Sequence, residues 1–109
     1  MPILHYRRET HAIERLFIEK FPVGFIAGAE YRAARALCHR EDVFVMLTDG
    51  IVEVTDARDQ EFGLERVERL LLANAARPLA EIAQTIVGAS KKHGPQMDDQ
   101  TILLPRITA

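Results

Sequence analysis

Two places in this chain set carboxylates where they could do chemistry. Asp49 follows the run Val43-Phe44-Val45-Met46-Leu47-Thr48 and is itself followed by Gly50. Asp98 and Asp99 stand before Gln100 and a second run, Thr101-Ile102-Leu103-Leu104. Five consecutive apolar residues from Val43 read as a buried strand, and the later run reads as another strand. A charge at the end of a core strand is costly unless ligands or hydrogen bonds compensate it. If the two strands are antiparallel neighbours, the end of the first lies beside the start of the second and brings the carboxylates together. Such a cluster has three uses. It could hold Mg²⁺ or Mn²⁺, hard cations that need only one or two protein carboxylates plus water. It could be an acid/base pair in which one carboxylate raises the other's pKa. The plain alternative is two unrelated turns, since Asp-Gly is a common turn dipeptide and Asp readily caps local amides.

The elements that must position these groups follow from hydrophobic period. Residues 3–7 read as a strand, 8–11 as a polar turn and 12–18 as a second strand, together a hairpin. In that second strand Ile13, Arg15 and Phe17 share one face and Glu14, Leu16 and Ile18 the other. Proline and glycine mark 20–28 as a structured loop lying against the core. Residues 31–39 are expected to form a strand despite their helical propensity, with Arg40-Glu41-Asp42 turning into the Val43 strand. After Gly50 a short helix or turn begins at Ile51, and 55–61 reads as a loop. From Leu64 the period lengthens. Leu64, Val67, Leu70 and Leu71 line one helical face, and the helix ends over 74–77. Pro78 suits the first turn of the next helix, whose apolar face is Leu79, Ile82, Ala83, Ile86 and Val87. Lys91 and Lys92 favour its C-terminal end, and Gly94-Pro95 stops it. Pro105 implies that the last strand ends there or lies at an edge.

Composition bounds the possibilities. The 109 residues suit one domain, and 48% hydrophobic with 28% charged residues and a net charge of −2 is ordinary for a soluble globular protein. Basic residues cluster no further than Arg7-Arg8 and Lys91-Lys92, so no nucleic acid partner is expected. No apolar run is long enough to span a membrane, and the first residues do not resemble a signal peptide. The single Cys38 excludes an internal disulfide and a cysteine-based zinc site. It is expected in a strand, as an inert thiol, with a cytoplasmic location as the default. His5, His11, His39 and His93 lack metal-ligand spacing and read as strand, turn or surface residues.

Thr48-Asp49-Gly50-Ile51-Val52-Glu53 resembles the T-D-G-[LVI]-x-E motif of bacterial metal-dependent serine/threonine phosphatases of the stage II sporulation protein E and RsbU type, in the type 2C (PPM) superfamily. Glu61-Phe62-Gly63-Leu64-Glu65-Arg66 is similar to the F-G-x-E-R segment of that family, and Asp98-Asp99-Gln100-Thr101 to its D-D-x-T. Phe21-Pro22-Val23-Gly24 resembles its L-P-L-G, and residues 2–7 the strand after its N-A-G-H segment. The motifs fall in order along the whole chain.

The resemblance implies an α+β fold: an antiparallel sheet with two helices packed on one face, part of an α-β-β-α sandwich. It implies that residues 1–109 are the C-terminal portion of such a phosphatase domain. Asp49 and Asp98 match metal-ligating aspartates, while Asp99 and Gly50 stand behind them. Two Mg²⁺ or Mn²⁺ ions would polarise a phosphoryl group and acidify a bridging water that attacks phosphorus in line. The implied substrate is a phosphoserine or phosphothreonine of a regulatory protein, typically an anti-sigma-factor antagonist. The family's other ligands, an upstream glutamate and the aspartate of a G-D motif, have no counterpart. Glu9, Glu14 and Glu19 are the only acidic residues before Glu30, and none follows a glycine. The isolated chain is therefore expected to be inactive, with no catalytic residue of its own. A half-domain would also leave a sheet face open, through which it could form a homo-oligomer. The alternatives are a catalytically silent interaction or regulatory module, and an unrelated small α+β domain whose aspartates are turn residues.

Overall fold

An antiparallel hairpin opens the fold. β1 (Ile3–Arg7) pairs with β2 (Ala12–Leu16) from Ile3↔Leu16 to Arg7↔Ala12. His11 closes the turn with a φ of 50°. The computed structural model describes residues 1–17 and 38–108. The expected loop at 20–28, its Phe21-Pro22-Val23-Gly24 motif, Ile18 and residues 31–37 of an expected strand lie outside the described residues. At the described end of that expected strand, Cys38 and His39 belong to no strand. They enter a turn instead: the Asp42 amide donates to the His39 carbonyl and the Asp42 carboxylate accepts from the His39 amide. Local turn chemistry overrides the strand reading here.

β3 (Val43–Leu47) pairs antiparallel with β1, Leu4 facing Val45, and on its other side with β4 (Ile102–Leu103), Met46 facing Leu103. The order is β2-β1-β3-β4, so the Val43 run is central and β4 is an edge, as Pro105 implied. Only two residues of the expected 101–104 strand form a ladder. The contact continues past Pro105 through the Phe44 amide, which donates to the Pro105 carbonyl, and a bridge from Val43 to Arg106.

Three helices complete the described residues: α1 (Asp49–Val52), α2 (Leu64–Asn74) and α3 (Leu79–His93). Alternation places Leu4, Tyr6, Val43, Val45 and Leu47 on one sheet face, and these join Val67, Leu71, Ile82 and Ile86 in a single core. Leu64, Leu70, Leu79, Ala83 and Val87 pack around it, as the helical periods indicated. Pro78 is the cap residue of α3 rather than part of its first turn. Arg15, on the helix-facing side of β2, forms a two-pronged ion pair with Glu68 of α2 at 2.7 and 3.1 Å. Ile3, Leu16, Phe44, Met46 and Leu103 alternate onto the other face, where Leu103 is 59% exposed.

One polar cluster is buried in this apolar frame. Asp42 accepts a hydrogen bond from His5 Nε2 at 2.8 Å, from the His39 amide at 3.0 Å and from the Arg8 amide at 3.1 Å. The His5 ring stacks on Phe44 with centroids 4.3 Å apart. Burial alone would push the Asp42 carboxyl up, but the hydrogen bonds from His5 and the two backbone amides outweigh it and hold the group below its ordinary value.

Candidate functional site

The two acidic segments meet at one end of the β3–β4 pair, and Thr48 fastens them together. Its amide donates to the Thr101 carbonyl at 3.1 Å, continuing the strand pairing by one step. Its hydroxyl accepts from the Thr101 amide at 3.0 Å and donates to the Asp99 carbonyl at 3.2 Å. A single side chain thus uses both faces of its hydroxyl to hold the segment that presents Asp98 and Asp99.

Asp49 does not end in a simple turn. It opens α1, a single helical turn closed by the Glu53 amide donating to the Asp49 carbonyl. A helix or turn was expected from Ile51; it begins two residues earlier. Gly50 is needed for a different reason than a sharp bend. A Cβ there would run into the carbonyl oxygen of Asp99 and lie 3.2 Å from that of Asp98. The bare glycine lets the two segments touch backbone to backbone. Gln100 adds a strut, its Nε2 donating to the Gly50 carbonyl at 3.0 Å.

From below, α1 is tied to α3 by the buried Ser90, whose hydroxyl donates to the Ile51 carbonyl at 2.7 Å. Ser90→Ala is expected to leave that buried carbonyl unsatisfied and to cost about 1–2 kcal/mol in urea denaturation.

Asp49, Asp98 and Asp99 are all exposed at this end of the sheet. Asp98 Oδ1 accepts the Asp99 amide at 2.8 Å, which orients that carboxylate and leaves its other oxygen available. Gln100 Oε1 is buried and has no hydrogen-bond partner among the described residues. Hard oxygen donors of this kind fit Mg²⁺ or Mn²⁺ bound with several waters. Among the described residues, no group of three or more His, Cys, Asp or Glu side chains converges. Glu53, the last member of the T-D-G-x-x-E match, is exposed at the end of α1.

Thr48 and Gln100 are the positioning residues that motif reading passed over. Their signal was present, a hydroxyl and an amide each one residue from an acid, but their partners lie about fifty positions away. His93 also departs from expectation. It lies in the last turn of α3, where Nδ1 accepts from Arg66 at 2.8 Å and Nε2 donates to the Gln60 carbonyl at 2.8 Å. Cys38, half-buried, has its thiol pushed up by burial first and then by the Asp42 charge, which disfavours the thiolate.

The model of the stage II sporulation protein E family matches residues 1–108, nearly the whole chain. The protein therefore belongs to this family, which is a PPM-type phosphatase family of the hydrolase class. Neither a curated protein nor a solved structure matches it. Among the described residues, no helix is long and apolar enough to cross a membrane.

Proposed function

We propose that this chain supplies Asp49 and Asp98 to the divalent-metal centre of a protein serine/threonine phosphatase, of the RsbU-like branch of the family, and represents the C-terminal part of its domain. The observation that carries the reading is the double hydrogen bond of Thr48. It holds the T-D-G and D-D-x-T segments together at one sheet end, where both aspartates are exposed. When bound, Mg²⁺ or Mn²⁺ supplies Lewis-acid charge for a phosphoryl group and for an attacking water. Within the chain, Asp99 and Gly50 hold the ligating aspartates in place through their backbone. The substrate is a phosphoserine or phosphothreonine on a cytoplasmic regulatory protein of the anti-sigma-factor antagonist type. The sheet face bearing Phe44, Met46 and Leu103 meets a second sheet in the complete sandwich, or a second copy of this chain when that sheet is missing.

The 109 residues alone are inactive in this reading, because a two-metal centre needs more ligands than these aspartates provide. That same shortage favours one alternative, a silent regulatory module derived from the phosphatase. A Mn²⁺-dependent phosphatase assay of this chain beside a version extended upstream at its genomic locus separates the two. Activity is expected only in the longer chain, falling about tenfold or more on Asp49→Asn or Asp98→Asn. Activity in the 109 residues alone would overturn the assignment of missing ligands. A longer chain that folds and binds Mn²⁺ without hydrolysing phosphoprotein would establish the silent module instead.

A further inference from the structure

A cleft of about 420 Å³ lies between α2 and α3, with Phe62, Leu70 and Ala89 as its apolar part. Its polar lining is entirely basic or neutral: Arg66 and Arg69 from α2, Lys92 and His93 from α3. This sign runs against the chain as a whole, which has a net charge of −2. The carboxylates nearby lie outside its lining: Asp56 Oδ2 is 4.0 Å from His93 Nε2, and Glu61 and Glu65 line a neighbouring depression on the Arg15 side that shares Arg66 and Arg69.

The cations are not spent on the fold. Among the described residues, Arg69 and Lys92 form no ion pair. Arg66 is held ready: its Nη1 donates to His93 Nδ1 at 2.8 Å and its guanidinium lies 5.9 Å from the Phe62 ring centroid. His93 is fixed in turn by the Gln60 carbonyl, so the tautomer that accepts from Arg66 is the one with the proton on Nε2. One guanidinium N–H is used in this way, which leaves the others available to a carboxylate. An apolar floor beside a pre-oriented arginine and two unpaired cations matches one chemistry: an apolar side chain flanked by acidic ones. The buried Phe62 offers no exposed ring for a nucleobase to stack on, which argues against a nucleic acid ligand.

We propose that the α2–α3 cleft docks an acidic peptide segment of a partner protein, with an apolar residue against Leu70 and Ala89 and carboxylates on Arg66, Arg69 and Lys92. The surface is separate from Asp49 and Asp98, and the inference stands whether or not the metal reading does.

The test is fluorescence anisotropy with a labelled peptide holding a central leucine between Asp/Glu residues, titrated with the full 109-residue chain. Saturable binding is expected that weakens with salt. It should fall about tenfold in the doubly substituted Arg69→Glu/Lys92→Glu chain, whose two surface changes leave the core intact. A peptide with Asn and Gln in place of the acids should not compete. Circular dichroism confirms that the variant is folded, and Glu81→Lys, outside the cleft, serves as a second variant that should bind as the original does. Equal binding of the acidic and amide peptides would overturn the proposal, as would unchanged binding by the double variant. Complete displacement by inorganic phosphate would reduce the cleft to a simple anion site. Self-association in light scattering that disappears in the double variant would assign the cleft to a second copy of the chain.

Discussion

Gly50→Ala is expected to cost the fold about 3 kcal/mol, at the upper end of what forced insertion into a packed site costs. The added methyl meets backbone, not a side chain that can rotate away: the Asp99 carbonyl carbon would lie 2.9 Å from it. Either α1 or the Asp98–Asp99 segment must move, and each is tied. Thr48 bonds to Asp99 and Thr101, and Gln100 bonds to the Gly50 carbonyl. For a domain of this size that loss corresponds to a fall in melting temperature of about 10–20 °C by calorimetry. Mn²⁺ affinity should fall with it, because the same displacement separates Asp49 from Asp98. A melting temperature within about 2 °C of the original would show that the two segments are not in contact.

The second large effect is at the opposite end of β3. Asp42→Asn should destabilise the protein by about 3 kcal/mol at neutral pH, the usual scale for breaking a buried charged cluster. An amide there would set its NH₂ either against the Arg8 amide, or against the His39 amide with His5 Nε2 left without an acceptor. The pH dependence has a definite sign. The Asp42 carboxyl is held below its ordinary value of 3.8 in the folded chain, so its contribution is complete above that value. It is lost as pH falls through the lower folded value. Urea denaturation should therefore show the original and the Asp42→Asn chain converging in stability only as pH falls below the ordinary carboxyl value of 3.8. A gap of constant size from pH 7 downward would show that the carboxylate charge plays no part.

Much of this arrangement could be read from residue order because its cause is local. The hairpin and both long helices announce themselves by a period of two or 3.6, and the Val43 strand by an unbroken apolar run, all within a dozen residues. Even the meeting of the two acidic segments followed from placing one acid after a strand and the other before its antiparallel neighbour. What escaped were pairings whose partners are distant. Nothing near His5 signals that it will be buried against Asp42, 37 positions on. Gly50 looked like a turn glycine because its true reason, the Asp99 carbonyl, arrives from the far end of the chain. Cys38 and His39 looked like strand residues until Asp42 drew them into a turn. The family match over residues 1–108 agrees with the motif order, which was itself a long-range signal assembled from short ones.

The position of β3 between β1 and β4 also has a bearing on synthesis. Asp49 leaves the ribosome 49 positions ahead of Asp98, an interval of roughly 2–10 s at ordinary rates of translation. Until β4 is made, β1 is the one partner of the Val43–Leu47 strand in the described sheet that has been synthesised. Its free edge is apolar and unpaired, the kind of surface that other chains and chaperones recognise. The later stretch, β4 with the residues before it, both covers this edge and brings the second aspartate. A nascent chain therefore acquires its two carboxylates as a unit only when its most adhesive strand is finally covered.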